Sequence, residues 1–462
     1  MQYYSLAPRI VFILHQHQTG QAIDLSLYLR SFQQMDRMES PFSSWTAEFK
    51  FQERAMLGRF LASTQDDDWA EVYIQFEGTT GFQLPLQLGP VDNVRINIEV
   101  DTLGVERRRL IVAGRGWGKA LTDTSVTTLQ RLTESGWIGT IMTPKKAMEF
   151  DMELLNAFQS QPTLGLQKVL SFLLDAQWRL PPSLRQSVGG FASDYLHAAV
   201  RTGGVGLEVD GVVWRGLSMM GGVRGTIWQM LSAFASDPAL VELWPTYELW
   251  VKNNNEEPGI SNPAKLRPFL CYRKRPFAQS AIAADGWNSL AKYSIDPSQI
   301  CKLDLGKSGL DRFNVELVAP EVAEGDLESA VLAQNNGLPL RNLDSIAIHG
   351  TRLWVPRDNL SNPGEKDFLN TRTRRLSDFV WAAYLPVPAW LNGTIETKAA
   401  ALPPTVVGSR LAITKTETDE EIIEFYCEGM DSQFVIDARG TANWTQSYLV
   451  TRGQGQVPSL EA

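Results

Sequence analysis

Two histidines near the N-terminus come closest, in type and spacing, to a metal site. His15 and His17 stand two apart, so on a β-strand both imidazoles would project from one face. Two imidazoles are half of a zinc site, and the other histidines, His197 and His349, have no ligand pattern beside them. We therefore predict no metal site and expect the pair to be polar residues that face solvent or an assembly partner.

The stretch Gly114-Arg-Gly-Trp-Gly-Lys119 has the residue types of a phosphate-binding loop. Such a loop needs four residues between its first glycine and the Gly-Lys pair, followed by a serine or threonine that binds magnesium. Only three residues separate Gly114 from Gly118, and Ala120 follows the lysine. The spacing indicates a flexible turn between a strand and a helix, so we predict no bound cofactor.

Carboxylates supply the one arguable catalytic pair. Glu424 and Glu428 are four apart on a presumed strand, hence on one face, where two acids could cleave a glycosidic bond. The signal is weak in a chain with 52 acidic residues, and the motifs of serine hydrolases and zinc proteases do not occur. The acidic runs at 66–68 and 419–421 are expected to be solvated loop charges. We predict no catalytic residues and no enzyme; the alternative is a cell-wall hydrolase or another carbohydrate-active β-rich enzyme.

The composition is that of a folded protein. A length of 462 residues suffices for about three domains, and 44% apolar against 21% charged residues favours large cores over disorder. Cys271, Cys301 and Cys427 are odd in number and have no C-x-x-C spacing, which indicates free thiols at small core positions.

Charge and hydropathy indicate the compartment and the kind of partner. The apolar run at residues 10–14 is too short for a signal peptide, and no window approaches the roughly 20 apolar residues that span a bilayer. We expect synthesis in a cytoplasm without stable membrane association. The formal charge of −9 argues against a nucleic-acid-binding surface and leaves only local basic patches, as at Arg372, Arg374 and Arg375.

The order of elements indicates an α+β fold that is mainly β. Apolar and polar residues alternate at 72–76 and 94–100, whereas helical spacing begins near Leu121, with Asp123-Thr124-Ser125 as the expected helix cap. Asp-Gly at 210–211 predicts a hairpin, and Thr226 is the expected cap of a helix through Phe234. We predict two tube-like β-barrels. A first barrel region (1–117) is followed by a mostly helical insertion (118–202) and by a hairpin and helix (203–260) that complete the first barrel or link it onward. A second barrel region with a helix (261–392) and a C-terminal β region (393–462) come after them.

Tryptophan is abundant, with 14 residues in the chain. Aromatic side chains bury much area at low entropic cost, in cores and in subunit interfaces alike. Both locations stay open for the group that crowds one third of the chain, Trp214, Trp228, Trp244, Trp250 and Trp287.

The C-terminal β region consists of short alternating runs, at 424–430, 434–436 and 449–453, which predict strands separated by turns. This region resembles the closing strands of the baseplate hub of contractile phage tails, a family that includes the T4-type hub and the hub half of type VI secretion spikes. Further segments resemble that family in the same order: 112–124, 227–234, 266–277, 345–352 and 395–413. Together they span about 112 to 453.

The resemblance implies a structural protein without catalytic activity. It implies a homotrimer in which each subunit supplies two barrels, so that a pseudo-sixfold ring joins a sixfold tail tube to a threefold central spike. The implied partners are further copies of the chain, the tail tube or tube-initiator protein, the spike and the baseplate wedge proteins, with DNA passing through the ring. The implied location is the tail baseplate of the virion, assembled in the host bacterial cytoplasm.

Overall fold

The computed structural model describes residues 8–38, 40–51, 54–76, 83–100, 106–128, 141–142, 170, 174, 178–188, 195–203, 224–234, 241–252, 263–277, 286–310, 312–316, 319–320, 340–354, 357–358, 381, 385, 390–398, 400–415, 418 and 420–455. Its helices are α1 (Arg54–Ser63), α2 (Lys119–Asp123), α3 (Pro182–Val188), α4 (Leu196–Ala199), α5 (Ile227–Phe234) and α6 (Leu343–His349), with 3-10 turns at Ser26–Tyr28, Pro297–Gln299 and Pro404–Val406.

The structure describes 24 strands, from two to 18 residues long. They are β1 (Pro8–His15), β2 (Ala22–Asp24), β3 (Leu29–Arg37), β4 (Ser44–Phe49), β5 (Trp69–Phe76), β6 (Gln83–Val100), β7 (Glu106–Arg115), β8 (Ser125–Thr128), β9 (Ile141–Met142), β10 (Arg201–Gly203), β11 (Arg224–Thr226), β12 (Val241–Trp250), β13 (Lys265–Lys274), β14 (Lys292–Ile295), β15 (Ile300–Gly306), β16 (Val315–Glu316), β17 (Ala319–Pro320), β18 (Leu340–Arg341), β19 (Leu353–Trp354), β20 (Arg357–Asp358), β21 (Leu391–Thr397), β22 (Arg410–Lys415), β23 (Glu420–Ile436) and β24 (Ala442–Gly455).

Thirteen of these strands form one sheet. Its order is β15-β21-β24-β23-β3-β4-β7-β6-β5-β1-β2, and a branch adds β14 and β22 beside β23. β6 turns this sheet back on itself, because residues 83–90 pair with β5 and residues 91–100 pair with β7. The sheet therefore has two layers at its N-terminal end, with a core between them.

The N-terminal core lies between these layers. Phe12 of β1 makes edge-to-face contacts with Trp45 and Phe49 of β4. Phe434 of β23 and Trp444 of β24 complete the same core, although they stand more than 380 residues further along the chain. The C-terminal strands are thus an integral part of the N-terminal core.

β23 and β24 also cover a second core. β23 pairs with β22 through residues 420–426 and with β3 through residues 429–435, while β24 pairs along its other edge. In β24 alternate residues from Trp444 to Val450 are buried, as the period of a strand requires. The second core is enclosed by β14, β15 and β21–β24 and includes Ile395, Leu411, Phe425 and Tyr448.

This finding corrects the predicted ends of the C-terminal strands. The runs at 424–430 and 434–436 belong to one strand, β23, which contains no turn between them. Met430, Ser432 and Phe434 are all buried and keep the alternation through the polar residues that suggested a turn. A buried polar residue such as Ser432 cannot be told from a turn residue in a sequence.

A third core contains helices. Trp117, Leu121, Ile227 and Leu231 pack with Leu270 of β13, beneath the antiparallel pair of β12 and β13. α5 begins where predicted: the Thr226 hydroxyl accepts from the Gln229 N–H at 3.2 Å, and the Gln229 side chain accepts from the Thr226 N–H at 2.9 Å.

The predicted helical insertion is only partly described. The expected cap at residues 123–125 is wrong, because Asp123 ends α2 and residues 125–128 form β8, which pairs with β9 and β11. The predicted hairpin around 210–211 and the basic patch of Arg372, Arg374 and Arg375 lie outside the described residues. None of the described helices has the length and apolar character that crossing a bilayer requires.

The fold class is α+β and mainly β, with large antiparallel sheets, as the sequence predicts. The alternating segments at 72–76 and 94–100 lie in β5 and β6. Closure into two tube-like barrels and the division into five regions stay predictions.

Candidate functional site

The glycine-rich stretch is a tight turn that joins β7 to α2, as its spacing predicts. A Cβ atom at Gly118 would lie 2.0 Å from the Pro41 carbonyl oxygen, and one at Gly116 would lie 2.4 Å from the Ser43 hydroxyl oxygen. Neighbouring backbone and side chains pass so close that only glycine fits. Packing therefore explains the glycines without a phosphate ligand.

The two cations of this turn are paired with carboxylates. Arg115 donates to both oxygens of Asp92, at 2.7 and 2.9 Å, and to Asp123 at 2.8 Å. Lys119 Nζ lies 2.5 Å from Asp67 and 3.0 Å from Asp92. Burial alone would raise the pKa of Asp92, but the hydrogen bonds from Arg115 and Lys119 outweigh burial and lower this pKa. Both cations hold the turn in place.

His15 is buried, which corrects the expectation that it faces solvent or a partner. Its Nε2 lies 3.1 Å from Glu71 Oε2, and its Nδ1 lies 3.1 Å from Ser183 Oγ. β1 ends at His15, and His17 follows in a turn where its N–H donates to Asp68. The two imidazoles therefore do not share a strand face.

Ser183, His15 and Glu71 stand in the order of a nucleophile, a base and a carboxylate. Glu71 also contacts Lys265 Nζ at 3.1 Å and the Tyr73 hydroxyl. Burial alone would raise the pKa of Glu71, but the His15 hydrogen bond and the Lys265 charge bring it to about 2. The Glu71 carboxylate is thus shared between the Lys265 ammonium and the His15 imidazole. The cluster fits a structural tie between β1, β5, β13 and α3.

In the acidic run at residues 66–68, Asp66 is exposed as expected, whereas Asp68 is not a solvated charge. Asp68 is fully buried and accepts from the N–H groups of His17 at 2.8 Å and Gln65 at 2.9 Å. Asp67 has a φ of 71° and pairs with Lys119. In the second run, Glu421 pairs with the partly exposed Lys292, and residue 419 lies outside the described residues.

Glu424 and Glu428 have separate partners. Glu424 accepts from the Trp287 indole at 3.2 Å and lies 3.3 Å from Arg410, whereas Glu428 accepts from the Thr451 hydroxyl at 2.9 Å. The register of β23 against β24 shifts at Glu428, which is an extra residue between two paired neighbours.

A buried ion pair, Arg273 with Glu242, joins β12 and β13 to the second core. Arg273 Nε donates to Glu242 at 2.9 Å, and its Nη2 donates to the Gly408 carbonyl at 2.5 Å and to the Tyr426 hydroxyl at 2.8 Å. Tyr426 in turn donates to Glu242 at 2.9 Å, and the guanidinium lies over the Trp244 ring. We call these five residues the junction.

Several of the segments that carry the family resemblance meet around the junction. The Trp117 indole donates to the Thr246 carbonyl at 2.6 Å, which connects the glycine-rich turn to β12. The Phe277 ring meets the Tyr426 ring edge-to-face with centroids 4.7 Å apart. The segments around 112–124, 266–277, 395–413 and 424–430 are therefore neighbours, while residues 345–352 form α6 and the exposed turn after it.

The described tryptophans of the crowded group pack within the chain. Trp244 is buried, Trp228 and Trp250 pack against the third core, and Trp287 contacts Phe277. Trp214 lies outside the described residues. Core packing is thus the main role of these aromatic side chains.

The cysteines differ in exposure. Cys271 and Cys427 are buried, and burial raises the pKa of each thiol to about 12. Cys301 is exposed on β15, which corrects its expected core position. In the part of the chain that the structure describes, no three histidine, cysteine or acidic side chains gather into a possible metal site.

Comparison with known proteins gives structural likeness only. Neither a family model nor a curated protein matches the sequence. The chain is similar to a tail protein from Neisseria meningitidis MC58 (11% identity, TM-score 0.45, 96% of each chain covered). It is also similar to the 43 kDa tail protein of prophage MuSo2 from Shewanella oneidensis (9% identity, TM-score 0.44, 98% of this chain and 100% of that one). A third likeness is to a Francisella PdpA–VgrG complex (8% identity, TM-score 0.42, 98% of this chain and 60% of that one).

Proposed function

We propose that this protein is the structural hub of a phage tail baseplate. In this role three copies form a pseudo-sixfold ring that joins the sixfold tail tube to the threefold central spike. The observation that carries the proposal is the junction. Three segments that resemble the hub family, 266–277, 395–413 and 424–430, contact one buried ion pair. A fourth, 112–124, is hydrogen-bonded to Thr246 on the neighbouring strand β12. This arrangement is what a shared fold requires.

The function is mechanical, and the long strands supply the stiffness. β23 and β24 run through both the N-terminal and the second core, so that a load on one core passes to the other through backbone hydrogen bonds. The junction fixes β12 and β13 against the same strands. A ring built from such subunits would resist shear between the tube and the spike.

The remaining partners follow from this role. The ring would contact the tail tube or tube-initiator protein, the spike and the baseplate wedge proteins, and DNA would pass through it. A lumen that is acidic or of mixed charge would not retain phosphates, in keeping with the net charge of −9. The protein would be assembled in the host bacterial cytoplasm and reside in the virion.

Solution mass is the decisive measurement. Light scattering of the purified chain should give three times the chain mass of 51.6 kDa, and with tube or spike protein added it should give that mass plus the mass of the bound partner. Electron microscopy of the same sample should show a ring with pseudo-sixfold symmetry. A chain that stays monomeric in all these mixtures contradicts the proposal.

The alternative, a cell-wall hydrolase that uses Glu424 and Glu428, makes a different prediction. A zymogram on bacterial cell walls should show clearing by the wild-type chain and none by Glu424→Gln. The separate partners of the two carboxylates favour the hub. Clearing that survives both Glu424→Gln and Glu428→Gln would point to another catalytic group.

A further inference from the structure

Helix α6 is held in place by a small network of hydrogen bonds. Asn314 is fully buried; its Nδ2 donates to the Gly350 carbonyl at 2.7 Å, and its Oδ1 accepts from the Arg352 N–H at 2.7 Å. The Asn342 side chain caps the start of α6 by accepting from the Ser345 N–H at 2.9 Å, and Gly350 follows the last turn with a φ of 72°. These bonds fix α6 against the segment that contains Asn314.

α6 turns its apolar side chains outwards. None of its seven residues is buried, and Leu343 and Ile348 are 71% and 74% exposed. The side chains that contact residues 312–314 are those of Ser345 and His349. At about 3.6 residues per turn, Leu343 and Ile348 lie on the other side of the helix from these two contacts.

This orientation is the reverse of the usual one, because a surface helix normally buries its apolar face and a helix this short needs packing to be stable. Two more exposed leucines lie in neighbouring segments. Leu310 is 91% exposed and follows Gly309, whose carbonyl accepts from Arg352 at 3.0 Å, and Leu353 on β19 is 59% exposed. Exposed apolar side chains gathered in this way mark an interaction site. We call these four side chains the α6 patch: Leu310, Leu343, Ile348 and Leu353.

The α6 patch has cations around it, although the chain carries a net charge of −9. Within residues 307–316 and 340–354, the cations of the described part are exposed or half-exposed, namely Lys307, Arg312, Arg341 and Arg352. Asp344 is an exposed carboxylate there, Glu316 is buried, and Asp311 lies outside the described residues. Arg312 contacts the His349 ring, and the Arg352 guanidinium donates to a backbone carbonyl, so neither contact supplies a negative charge.

We propose that the α6 patch is a docking site for a segment of another protein that carries aspartate or glutamate beside aliphatic side chains. The aliphatic side chains of that segment would remove the exposed leucines and Ile348 from water. Its carboxylates would pair with the surrounding cations and select it over basic segments. Each single chain carries the whole patch, so the docking site does not depend on the ring.

Other occupants fit the patch less well. Two α6 patches that face each other across a twofold axis would bring like charges together. A nucleic acid would pair with the cations but leave the four aliphatic side chains in water, whereas single strands bind by stacking on aromatic rings. A bilayer would have to accept Asp344, which lies between Leu343 and Ile348 on the outer side of α6. An acidic and aliphatic protein segment satisfies both parts of the surface.

Peptide selection tests the chemistry of the partner. A display library of random peptides about 12 residues long, or about three helical turns, is selected on the full-length chain and on its Ile348→Asp variant. Peptides that bind the wild-type chain but not the variant should carry more aspartate and glutamate than lysine and arginine, together with aliphatic side chains. Basic peptides, or none that the variant rejects, contradict the proposal.

Affinity measurements use the most frequent of the selected peptides. Leu343→Ser removes apolar area and Arg341→Glu reverses a charge, so each should weaken binding about tenfold or more in a fluorescence titration. Leu27→Ser and Arg439→Glu are the matched controls, because both side chains are exposed outside the patch. Each control should change the affinity less than about twofold. Equal losses in controls and patch variants would show a general attraction to the surface, and the docking site would be wrong.

Further measurements separate this partner from the other occupants. Phosphatidylglycerol vesicles test a lipid, a DNA duplex tests a nucleic acid, and light scattering of Leu343→Ser tests a second copy. Vesicle or DNA binding that Leu343→Ser abolishes, or a wild-type trimer that this change dissociates, overturns the docking site. A trimeric chain that binds no acidic peptide leaves the hub proposal standing. A chain that binds the peptide through α6 but stays monomeric with tube and spike proteins contradicts the hub and keeps the docking site.

Discussion

At the residue scale, the polar groups that suggested chemistry are used to hold segments together. Arg115, Lys119 and His15 each contact carboxylates from other parts of the chain. Burying a charge costs several kcal/mol unless a partner and hydrogen bonds compensate it. Each cluster therefore specifies one arrangement of the strands that contribute to it, and loss of one partner leaves an unpaired charge.

The junction gives the first prediction. Arg273→Ala leaves Glu242 buried without its cation and should lower the free energy of unfolding by about 3–5 kcal/mol. Lys292→Ala breaks a partly exposed pair with Glu421 and should cost less than about 1 kcal/mol. Urea unfolding of both variants checks the difference. Equal effects would mean that the junction contributes no more than a surface pair.

Asp36 gives a prediction on pH. Its burial raises the pKa to about 7, while an unfolded aspartate titrates near 4. The wild-type chain therefore loses stability as the pH rises from about 4 to 7. In this range the carboxylate of the unfolded chain is ionised, and folding must either take up a proton or bury the charge. Asp36→Asn removes this loss and should stabilise the protein by about 3–4 kcal/mol at pH 8 and hardly at all at pH 4. Urea midpoints at both pH values measure this, and a constant difference between variant and wild type would contradict it.

At the element scale, close backbone approach decides where a glycine is needed. Gly118 has an ordinary φ of −60°, so its requirement comes from the close Pro41 carbonyl oxygen and the Pro245 ring, not from backbone strain. Gly58 in α1 has no atom within 4 Å of a Cβ at its position. The two glycines look alike in the sequence, yet only the first one is fixed by its surroundings.

These two glycines form a matched pair for mutation. Gly118→Ala should destabilise the protein by about 1–3 kcal/mol, because the turn must move away from Pro41. Gly58→Ala should stabilise it by about 0.5–1 kcal/mol, because alanine is the better helix former. Thermal unfolding of both variants is the measurement. A neutral Gly118→Ala would show that the turn relaxes freely.

At the scale of the whole molecule, the chain closes on itself. β23 lies between β24 and β3, so the last described segment of the chain completes the N-terminal core. A protein built in this way cannot complete its first core before the C-terminal strands exist.

Truncation tests this closure. A chain ending at residue 417 lacks Phe434 and Trp444, each worth about 3–5 kcal/mol in a core, and should lose cooperative unfolding. A fragment of residues 420–455 added in trans should restore it. A chain ending at residue 455 keeps all of β24 and serves as the control. Cooperative unfolding of the 417-residue chain, monitored by circular dichroism, would show that the N-terminal core is independent.

The sequence by itself determined the features that depend on near neighbours. Alternation predicted β5, β6 and the C-terminal β region from residue 393, and Thr226 as a cap predicted the start of α5. The spacing after Gly114 argued against a phosphate loop. These patterns arise from backbone geometry within a few residues. Tertiary structure alone decided that β3 pairs with β23, that His15 and Asp68 are buried, and that the junction joins residues from 242 to 426. Those contacts depend on which apolar faces meet across hundreds of residues, and no local pattern encodes that choice.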